Sequence, residues 1–408
     1  MIDTDEKEQI DMKYDFDKYI ERRGTDSCKW NDFEKVFPGY DVSGAIPMWV
    51  ADMDFPAPKE VVDAVTARAA EGIYGYPVLY SKMVGDATKS WLSRRHGWEI
   101  ESKWVVAASG IVPAVTYAVQ AFTEPGDKIL IQPPVYYPFK DKCIKYNNRI
   151  AVENQLIVVE DGSRRRRYEI DFEDFEKKVS DPELKMFILC SPHNPVARVW
   201  TYEELARMVE LCEKYDVLIF SDEIHSDLIM RGWKHVPTGA ISEKNLIAAY
   251  APSKTFNLAG IRTSALVIPD DELRKRYVHQ MEIDEVTGLN VFAPIALKAA
   301  YDHGEDYLEQ LIDYLDGNIK FAKEYLEANI PGAYVYTTEG TYFLWIDFNG
   351  TGLTPEEIYK TVLEKGKVAG DLGNWFGISG DGFIRLNPAC PRSIVEEAVK
   401  RIASAFEK

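Results

Sequence analysis

The 408-residue sequence predicts an α/β fold with a mainly parallel central sheet, and three observations support this fold class. Short apolar runs at 129–131, 186–190 and 217–220 are typical of strands buried on both faces. The stretch 202–215 carries apolar residues at helical spacing. Strand and helix patterns alternate in this way from about residue 60 to 295, which favours helices packed on both faces of a parallel sheet.

The pattern changes after Pro294, where this alternation ends. A long helix is predicted to include 301–327, and short strands are predicted over 333–337 and 341–347. A final helix is predicted over 391–406. Together these segments predict a second, smaller α+β unit.

The length of the chain also favours more than one domain, because domains commonly contain about 150 residues. We expect a large domain over 56–295. We expect both ends of the chain, 1–55 and 296–408, to form the small domain.

Composition and charge exclude several classes of protein. Hydrophobic residues make up 46% of the chain and charged residues 28%, which excludes a mostly disordered chain and a collagen-like repeat. Lys and Arg together number 48 and Asp and Glu 66, so the net charge is −18. An acidic chain repels nucleic acid and anionic lipid, so we expect neither as a partner. The basic run 164–167 could form a phosphate-binding patch, but a solvated loop between two strands is the favoured interpretation.

Cysteine usage and the N-terminus favour a cytoplasmic protein. No Cys-x-x-Cys pair occurs, so we expect neither a metal site nor a redox motif. Scattered free thiols are typical of a reducing compartment. The first 16 residues are acidic and lack the apolar stretch of a signal peptide, and no apolar run is long enough for a membrane span. The five cysteines are Cys28, Cys143, Cys190, Cys212 and Cys390.

Polar residues follow the predicted strands at the sheet edge where ligands of parallel sheets bind. After the strand at 105–109, Gly110 precedes a helix that is expected to begin near Pro113, and the free N–H groups of a helix start favour a phosphate. After the strand at 186–190 comes Asn194, which could donate to an anionic ligand oxygen or form an Asn-Pro turn.

Two further strand ends carry ionisable residues. Asp222 follows the strand at 217–220, where a buried carboxylate needs a cationic partner; a helix N-cap is the alternative role. Lys254 follows the strand at 246–251, where desolvation would favour the neutral, reactive amine. Arg262 follows eight residues later and could bind an anion with two N–H groups.

These candidates and the motifs around them resemble one family, the fold-type-I pyridoxal 5′-phosphate (PLP) enzymes of the aspartate aminotransferase superfamily. The candidates occur in the order Gly110, Asn194, Asp222, Lys254 and Arg262. The resemblance extends from WVADMDFPAP at Trp49 to RLNPACPR at Arg385. The motifs IYGYP, PPVYYPF, SPHNPV, SDEIHSDL, APSKTFNLAGI and GFIRLN are similar to the MalY/PatB branch of C–S β-lyases. The resemblance implies the PLP-dependent transferase fold, with a large cofactor domain and a smaller α+β domain.

The resemblance also implies how the cofactor is held. Lys254 would bond covalently to the cofactor aldehyde and later act as the base at the substrate Cα. Asp222 would pair with the ring nitrogen, and Asn194 would hydrogen-bond the ring 3-hydroxyl oxygen. Tyr136 would stack on the ring face. His225 stands where aminotransferase relatives have tyrosine, and we expect it to support the cofactor-contacting residues from behind, with a proton relay as the alternative.

The remaining implied roles concern the cofactor phosphate and the substrate. Tyr76 would reach the phosphate in the neighbouring subunit of a homodimer and contribute to catalysis there. Arg385, with Asn194, would bind the substrate α-carboxylate, although an arginine at a strand end could also be a plain surface residue. The groups implied to hold the phosphate are Gly110, Ile111, Ser253 and Arg262, together with Tyr76.

Two residues depart from the family pattern. Ala197 occupies a position where glycine is usual, and if that turn needs a positive φ, local strain or a shifted Asn194 follows. Pro388 replaces a more usual aliphatic residue near Arg385.

The function predicted from this resemblance is a homodimeric PLP-dependent C–S β-lyase. It would cleave L-cystathionine or a related cysteine conjugate by α,β-elimination to a thiol, pyruvate and ammonia. A class I/II aminotransferase with the same cofactor and base is the alternative, because the branch between the two reactions depends on geometry that no motif encodes. A regulatory protein that keeps the fold is a third hypothesis, but Lys254, Asp222, Asn194 and Arg385 are all present and favour an enzyme.

Overall fold

The structure, a computed structural model, describes residues 14–78, 81–160, 162, 166–286 and 288–407. It is built from strands and helices that alternate through the middle of the chain. The strands are β1 (Ile46–Pro47), β2 (Val105–Ala108), β3 (Lys128–Ile131), β4 (Ile150–Glu153), β5 (Ile157–Glu160), β6 (Arg166–Glu169), β7 (Leu184–Cys190), β8 (Leu218–Asp222), β9 (Leu246–Tyr250), β10 (Ser264–Val267), β11 (Tyr334–Val335), β12 (Leu344–Asp347), β13 (Val368–Ala369), β14 (Asp371–Leu372) and β15 (Phe383–Leu386).

The α-helices lie mainly between these strands and after the last strand of the central sheet. Short 3-10 and π-helical segments also occur, including Leu92–His96 directly after α4 and Phe139–Ile144 between β3 and β4. The helices are α1 (Cys28–Asn31), α2 (Phe33–Val36), α3 (Lys59–Ala70), α4 (Lys82–Trp91), α5 (Ile111–Phe122), α6 (Phe172–Val179), α7 (Tyr202–Lys214), α8 (Pro252–Thr255), α9 (Asp271–Ile283), α10 (Ala293–His303), α11 (Glu305–Asn329), α12 (Pro355–Lys360) and α13 (Arg392–Phe406).

Seven strands form the central sheet, in the order β2-β10-β9-β8-β7-β3-β4. The pairs from β9 to β4 are parallel, and only β10 runs antiparallel to both of its neighbours. The sheet therefore matches the predicted α/β class with a mainly parallel sheet. Its parallel strands bring the residues that follow β7, β8 and β9 to one edge.

Both faces of the central sheet are buried, which explains the continuous apolar runs in the sequence. Along β7, Phe187 and Leu189 enter one hydrophobic cluster, and Met186 and Ile188 enter the cluster on the opposite face. This alternation follows from the period of two along a strand. The predicted strands and helices of this region are confirmed within one or two residues.

A second, antiparallel sheet follows in the order β11-β12-β15-β14. Near the start of the chain, β1 pairs in parallel with β13, so the N-terminal segment joins the C-terminal region. A third hydrophobic cluster connects this segment with α10, α11 and α13. The contacts of both chain ends with each other agree with the expected small domain, whose limits stay a prediction.

Two predicted elements differ from the structure. The helix predicted over 301–327 is interrupted at Gly304, where α10 ends and α11 begins. A Cβ at Gly304 would lie 2.4 Å from the Phe256 ring, so the close approach of that ring requires glycine. The strand predicted over 341–347 starts only at Leu344, because Thr341 has a φ of +67° and cannot continue an extended strand.

The basic run 164–167 lies partly outside the described residues. Arg164 and Arg165 are not described, and the flanking strands β5 and β6 form an antiparallel hairpin. Arg166 pairs with Asp347, and Arg167 pairs with Glu204. These ion pairs give both described arginines a structural role. Because Arg166 and Arg167 belong to strand β6, the loop interpretation is wrong for these two residues.

The structure also describes the cysteines, possible metal ligands and possible membrane-spanning helices. All five cysteines are free thiols, and only Cys28 is exposed. In the described ranges, no cluster of His, Cys, Asp and Glu has the arrangement of a metal site. None of the helices in those ranges has the length and apolar character needed to cross a bilayer.

Candidate active site

A cavity of about 150 Å³ lies at the carboxyl ends of the central parallel strands. It is lined by the last residues of β7 and β8, by the turns that follow them, and by the starts of α5 and α8. Most of the residues predicted from the sequence meet here, and only Tyr76 and Arg385 do not line the cavity. The predicted residues that line it are Gly110, Ile111, Tyr136, Asn194, Asp222, His225, Ser253, Lys254 and Arg262.

Lys254 brings an amine into this cavity from α8. Its Nζ donates a hydrogen bond to the Ala51 carbonyl oxygen at 2.7 Å. Desolvation within the protein lowers the pKa of the Lys254 amine to about 8, while the carboxylates of Asp52 and Asp222 raise this pKa and the Arg385 guanidinium lowers it. Such an amine is partly neutral near physiological pH and can attack a carbonyl or accept a proton.

Asp222, the last residue of β8, provides a buried carboxyl at the same cavity. Its Oδ1 accepts a hydrogen bond from the Ile224 N–H at 3.1 Å. Burial raises the pKa of the Asp222 carboxyl to about 7. In the described ranges, no side-chain cation lies within ion-pair distance of this carboxyl. The helix N-cap considered from the sequence is wrong, because residues 224–227 form turns and no helix begins directly after β8.

Three more side chains surround the space between Lys254 and Asp222. Tyr136 packs edge-on against Phe139, with ring centroids 5.5 Å apart. The His225 ring packs against aromatic residues after β11, and burial holds the pKa of its imidazole well below the usual value, so this histidine is neutral. Asn194 receives a hydrogen bond from Arg385 at its Oδ1, 2.8 Å away, which leaves its amide N–H groups for a ligand.

One end of the cavity is suited to an anion. Gly110, with a φ of +125°, turns the chain into α5, so that the N–H groups of the first helical turn face that end. Ser253 and Arg262 line the same cavity, and no carboxylate of the described ranges lies within ion-pair distance of the Arg262 guanidinium. Thr263 Oγ1 is buried without a hydrogen-bond partner. A cation without a counter-ion next to free N–H groups is the arrangement expected for a phosphate site.

Arg385 lies next to the cavity on β15, and its side chain is 4% exposed. Its guanidinium donates to the Trp49 carbonyl oxygen at 3.0 Å and to Asn194, and it forms an ion pair with Asp371. The ring of Phe343 covers one face of it, 4.0 Å from the ring centroid. The alternative interpretation of Arg385 as a surface residue is therefore wrong, since it is a buried cation beside the cavity.

Tyr76 lies outside the cavity. Its side chain is fully exposed, and so are large parts of its neighbours Ile73, Tyr74 and Val78. The structure therefore does not bring Tyr76 to the site of its own chain. An exposed aromatic side chain in an apolar segment is available to another copy of the chain.

The structure adds residues that the sequence did not single out. Cys190 is buried, lines the cavity and accepts a hydrogen bond from the Asn194 N–H at its Sγ. Asp371 pairs with Arg385 because the two residues are direct neighbours across β14 and β15. The carbonyl oxygens of Trp49 and Ala51 accept hydrogen bonds from Arg385 and Lys254, respectively. The position of Cys190 at the end of β7 could have identified it as a site residue. Asp371 could not be found in this way, because the register of β14 on β15 cannot be predicted from one sequence.

The two departures from the family pattern have different outcomes. Ala197 does adopt a positive φ of +59°, so the turn places an alanine in the left-handed region. Its N–H donates to His193, and its carbonyl accepts from Glu339 and Gly340, which hold the turn in place. Pro388 accepts a hydrogen bond from Asn318 at its carbonyl oxygen, and nothing in the structure explains why proline stands there.

This set of groups fits PLP. The amine of Lys254 can react with an aldehyde, and the buried Asp222, which has no cationic partner among the described residues, can accept a hydrogen bond from a protonated ring nitrogen. The anion site at Gly110 and Arg262 suits a phosphate. His225 Nδ1, which lacks a hydrogen-bond partner, adds a further polar atom at the wall of the cavity.

A family model described as aminotransferase class I and II matches residues 46–402. The chain belongs to this family. It is 41% identical over 394 residues to cystathionine β-lyase PatB of Bacillus subtilis (strain 168), covering 96% of this chain and 99% of PatB. It is 29% identical over 394 residues to protein MalY of Escherichia coli (strain K12), covering 96% and 99% of the two chains.

Solved structures agree with this aminotransferase-family assignment. The PLP-bound C–S lyase from Staphylococcus hominis matches with a TM-score of 0.88 and 30% identity, covering 98% of this chain and 99% of that one. The family is PLP-dependent. The predicted fold, the resemblance to the MalY/PatB branch and the PLP cofactor are confirmed.

Proposed function

We propose that this protein is a PLP-dependent C–S β-lyase that cleaves L-cystathionine or related cysteine conjugates. The observation that carries this proposal is its 41% identity, over nearly the whole of both chains, to a cystathionine β-lyase. The reaction removes a proton from Cα and a thiolate from Cβ. Water then hydrolyses the eliminated enamine to pyruvate and ammonia.

The cofactor and the protein divide this chemistry. When bound, PLP supplies an electron sink for the negative charge that develops at the substrate Cα. Lys254 holds the cofactor and then takes the Cα proton with its amine, whose lowered pKa of about 8 favours the neutral form that a base requires. Asp222 would hydrogen-bond the ring nitrogen, and Tyr136 would cover one ring face. Asn194 would donate to the ring 3-hydroxyl oxygen, and His225 would support these residues from the wall of the cavity.

Different residues would hold the phosphate and the substrate. The N–H groups of Gly110 and Ile111, with Ser253 and Arg262, hold the phosphate. Arg385 and Asn194 hold the substrate α-carboxylate, and this contact orients Cα toward Lys254. The departing thiolate takes a proton from Lys254 or from Tyr76 of the second subunit.

The proposed assembly is a homodimer with shared active sites. The exposed apolar side chains of Ile73, Tyr74 and Val78 around Tyr76 support this proposal. We further propose a large domain over 56–295 and a small domain over 1–55 and 296–408. The free thiols, one of them exposed, support a reducing compartment, the cytoplasm.

The decisive experiment incubates the purified holoenzyme with L-cystathionine, and separately with L-cysteine, in the absence of any keto acid. Sustained release of pyruvate and thiol over many turnovers is the expected result. A single turnover that converts the cofactor to its amine form, reversed by a keto acid, would identify an aminotransferase instead. Lys254→Ala is expected to lose both pyruvate release and borohydride-trappable cofactor, whereas Lys275→Ala, at an exposed lysine on α9, is expected to keep both.

A further inference from the structure

The pairing between β14 and β15 places the carboxyl group of Asp371 against Arg385, the arginine proposed to bind the substrate α-carboxylate. Asp371 and Arg385 are register partners across the two strands, so their side chains share one face of the sheet. Both are almost completely buried, with side-chain exposures of 2% and 4%. In the described ranges, no other cation lies within ion-pair distance of Asp371. The charge of each group is therefore balanced mainly by the other.

The hydrogen bonds of Arg385 show which of its N–H groups remain for a substrate. The NH2 group donates to Trp49 and Asp371, and the NH1 group donates to Asn194. One N–H of NH1 is left, and Nε is buried without a hydrogen-bond partner. A substrate carboxylate that binds here therefore shares the guanidinium with Asp371, whose Oδ1 also lacks a partner.

We propose that Asp371 neutralises Arg385 in the free enzyme and takes up a proton when the substrate α-carboxylate binds the same guanidinium. Two carboxylates beside one buried cation leave an uncompensated negative charge, which is costly in a low-dielectric site. A proton on Asp371 removes this charge and turns its carboxyl into a hydrogen-bond donor. The inference rests on the proposed role of Arg385 in substrate binding.

The environment of Asp371 supports such a proton uptake near neutral pH. Burial raises the pKa of the Asp371 carboxyl to about 6, although the Arg385 guanidinium lowers it. A small further rise brings this pKa into the physiological range. The other titratable groups that interact electrostatically with Asp371 or Arg385 are Tyr136, Tyr137, His225, Lys254 and Tyr342.

These neighbours differ from Asp371 in what they contribute. Burial raises the pKa of each of the three tyrosines and lowers that of His225, which favours the uncharged form of all four. Lys254 is bonded to the cofactor in the holoenzyme, and any proton taken up at its nitrogen persists in a variant that lacks the Asp371 carboxyl. Asp371 is the one carboxyl in direct contact with Arg385 among the described residues.

The experiment measures protons bound by the wild-type holoenzyme together with 3-(methylthio)propanoate. This probe has the carboxylate and thioether of a cysteine conjugate but no amino group, so it does not react with the cofactor. Calorimetric titration in two buffers of different ionisation enthalpy gives the number of protons taken up. We expect about half a proton at about pH 7.5 and a small fraction at about pH 5, where Asp371 is already protonated. Binding without proton uptake at the higher pH would overturn the inference.

A variant separates proton uptake by Asp371 from other causes. Asp371→Asn is expected to bind the probe about tenfold more tightly than wild type at about pH 7.5, with little proton uptake, and equally at about pH 5. With a cysteine conjugate, the change in KM is expected to exceed the change in kcat. Weaker binding at every pH would show that Asp371 only orients Arg385. The matched control is Asp347→Asn, a buried strand aspartate of the same sheet that pairs with Arg166 and is expected to bind like wild type.

The neutral amide 3-(methylthio)propanamide distinguishes this inference from the proposed function. If wild type binds the amide as well as the acid, the proposed carboxylate site at Arg385 is wrong. If wild type prefers the acid but takes up no proton, only the inference on Asp371 is wrong.

Discussion

The reactivity of Lys254 is set by its immediate neighbours. Desolvation favours the neutral amine, and so does the positive charge of Arg385, whereas Asp52 and Asp222 favour the ammonium form. The balance gives a pKa of about 8, below the value of about 10.4 for a lysine in water. The amine is thus charged below this pH and neutral, and therefore nucleophilic, above it.

This balance predicts the pH dependence of cofactor binding to Lys254. When PLP is mixed with the cofactor-free protein, the rate of the covalent reaction should rise with pH and reach half of its maximum near the lysine pKa, about 8. Stopped-flow absorbance of the cofactor measures this rate. A midpoint near that of a free lysine would contradict the assigned environment.

Asp222→Asn provides the control for that measurement. The substitution removes a negative charge that raises the Lys254 pKa, so the midpoint should move to lower pH. A midpoint that stays in place would mean that the two groups do not interact. Asp86→Asn, at an exposed aspartate on α4, should leave the midpoint unchanged.

At the scale of elements, the segment 49–55 connects the lysine side of the site with the arginine side. Its carbonyl groups receive hydrogen bonds from both Lys254 and Arg385. Asn257, two residues after α8, accepts from the Met53 N–H at 3.0 Å and donates to the carbonyls of Met53 and Phe55 at 2.8 Å each. Asn387, next to β15, donates to the carbonyls of residues 50 and 52.

This arrangement predicts the effect of Asn257→Ala. The change leaves the Met53 N–H and the Phe55 carbonyl without partners, whereas the Met53 carbonyl keeps its hydrogen bond from Arg22. The loss should lower the free energy of unfolding by about 2–4 kcal/mol. Urea titration of the holoenzyme measures the loss. The KM for a cysteine conjugate should also rise, because the segment no longer fixes Lys254 and Arg385 relative to each other.

Asn329→Ala is the matched control for the segment. Asn329 is exposed at the end of α11 and donates only to the Tyr325 carbonyl. Its loss should change the free energy of unfolding by no more than about 1 kcal/mol. Equal losses for the two variants would contradict the special role of Asn257.

Sequence patterns predicted the elements better than the contacts between them. The apolar runs of β7 and β8 were readable because both faces of these strands are buried. The break at Gly304 could not be predicted, because it depends on the close approach of Phe256, the residue that follows α8. Asp371 was missed for the same reason, since its role follows from the register of β14 on β15. The site residues at strand ends could be found because parallel strands bring their carboxyl ends together.

At the scale of the whole molecule, the segment 73–78 is unusual because its large apolar side chains are exposed in a single chain. Four large apolar or aromatic side chains project from it, among them the fully exposed Tyr76. Isolated exposed hydrophobic residues are ordinary, but a continuous group of them is typical of an interface. A second copy of the chain with two-fold symmetry would cover both segments at once.

The shared site of such a homodimer can be tested with two inactive variants. Lys254→Ala lacks the reactive amine, and Tyr76→Ala lacks the side chain proposed to enter the partner's site. In a mixed dimer, the site that keeps Lys254 in one subunit receives an intact Tyr76 from the other, and that site alone is complete. Mixing the variants after dissociation and reassembly should therefore restore about a quarter of wild-type pyruvate release, since half of the dimers are mixed and each has one complete site.

The control for complementation uses two variants whose substituted residues both line the cavity of a single chain. Lys254→Ala mixed with Asp222→Ala should restore no activity, because both defects fall in the part of the site built by one chain. Sedimentation should give a mass of twice 46.5 kDa for every mixture. If the mixture of Lys254→Ala and Tyr76→Ala stays inactive while its mass is that of a dimer, each site is built from one chain and Tyr76 acts elsewhere. Restored activity requires that each subunit completes the site of the other. Such a shared site would explain why Tyr76 is exposed and does not line the cavity of its own chain.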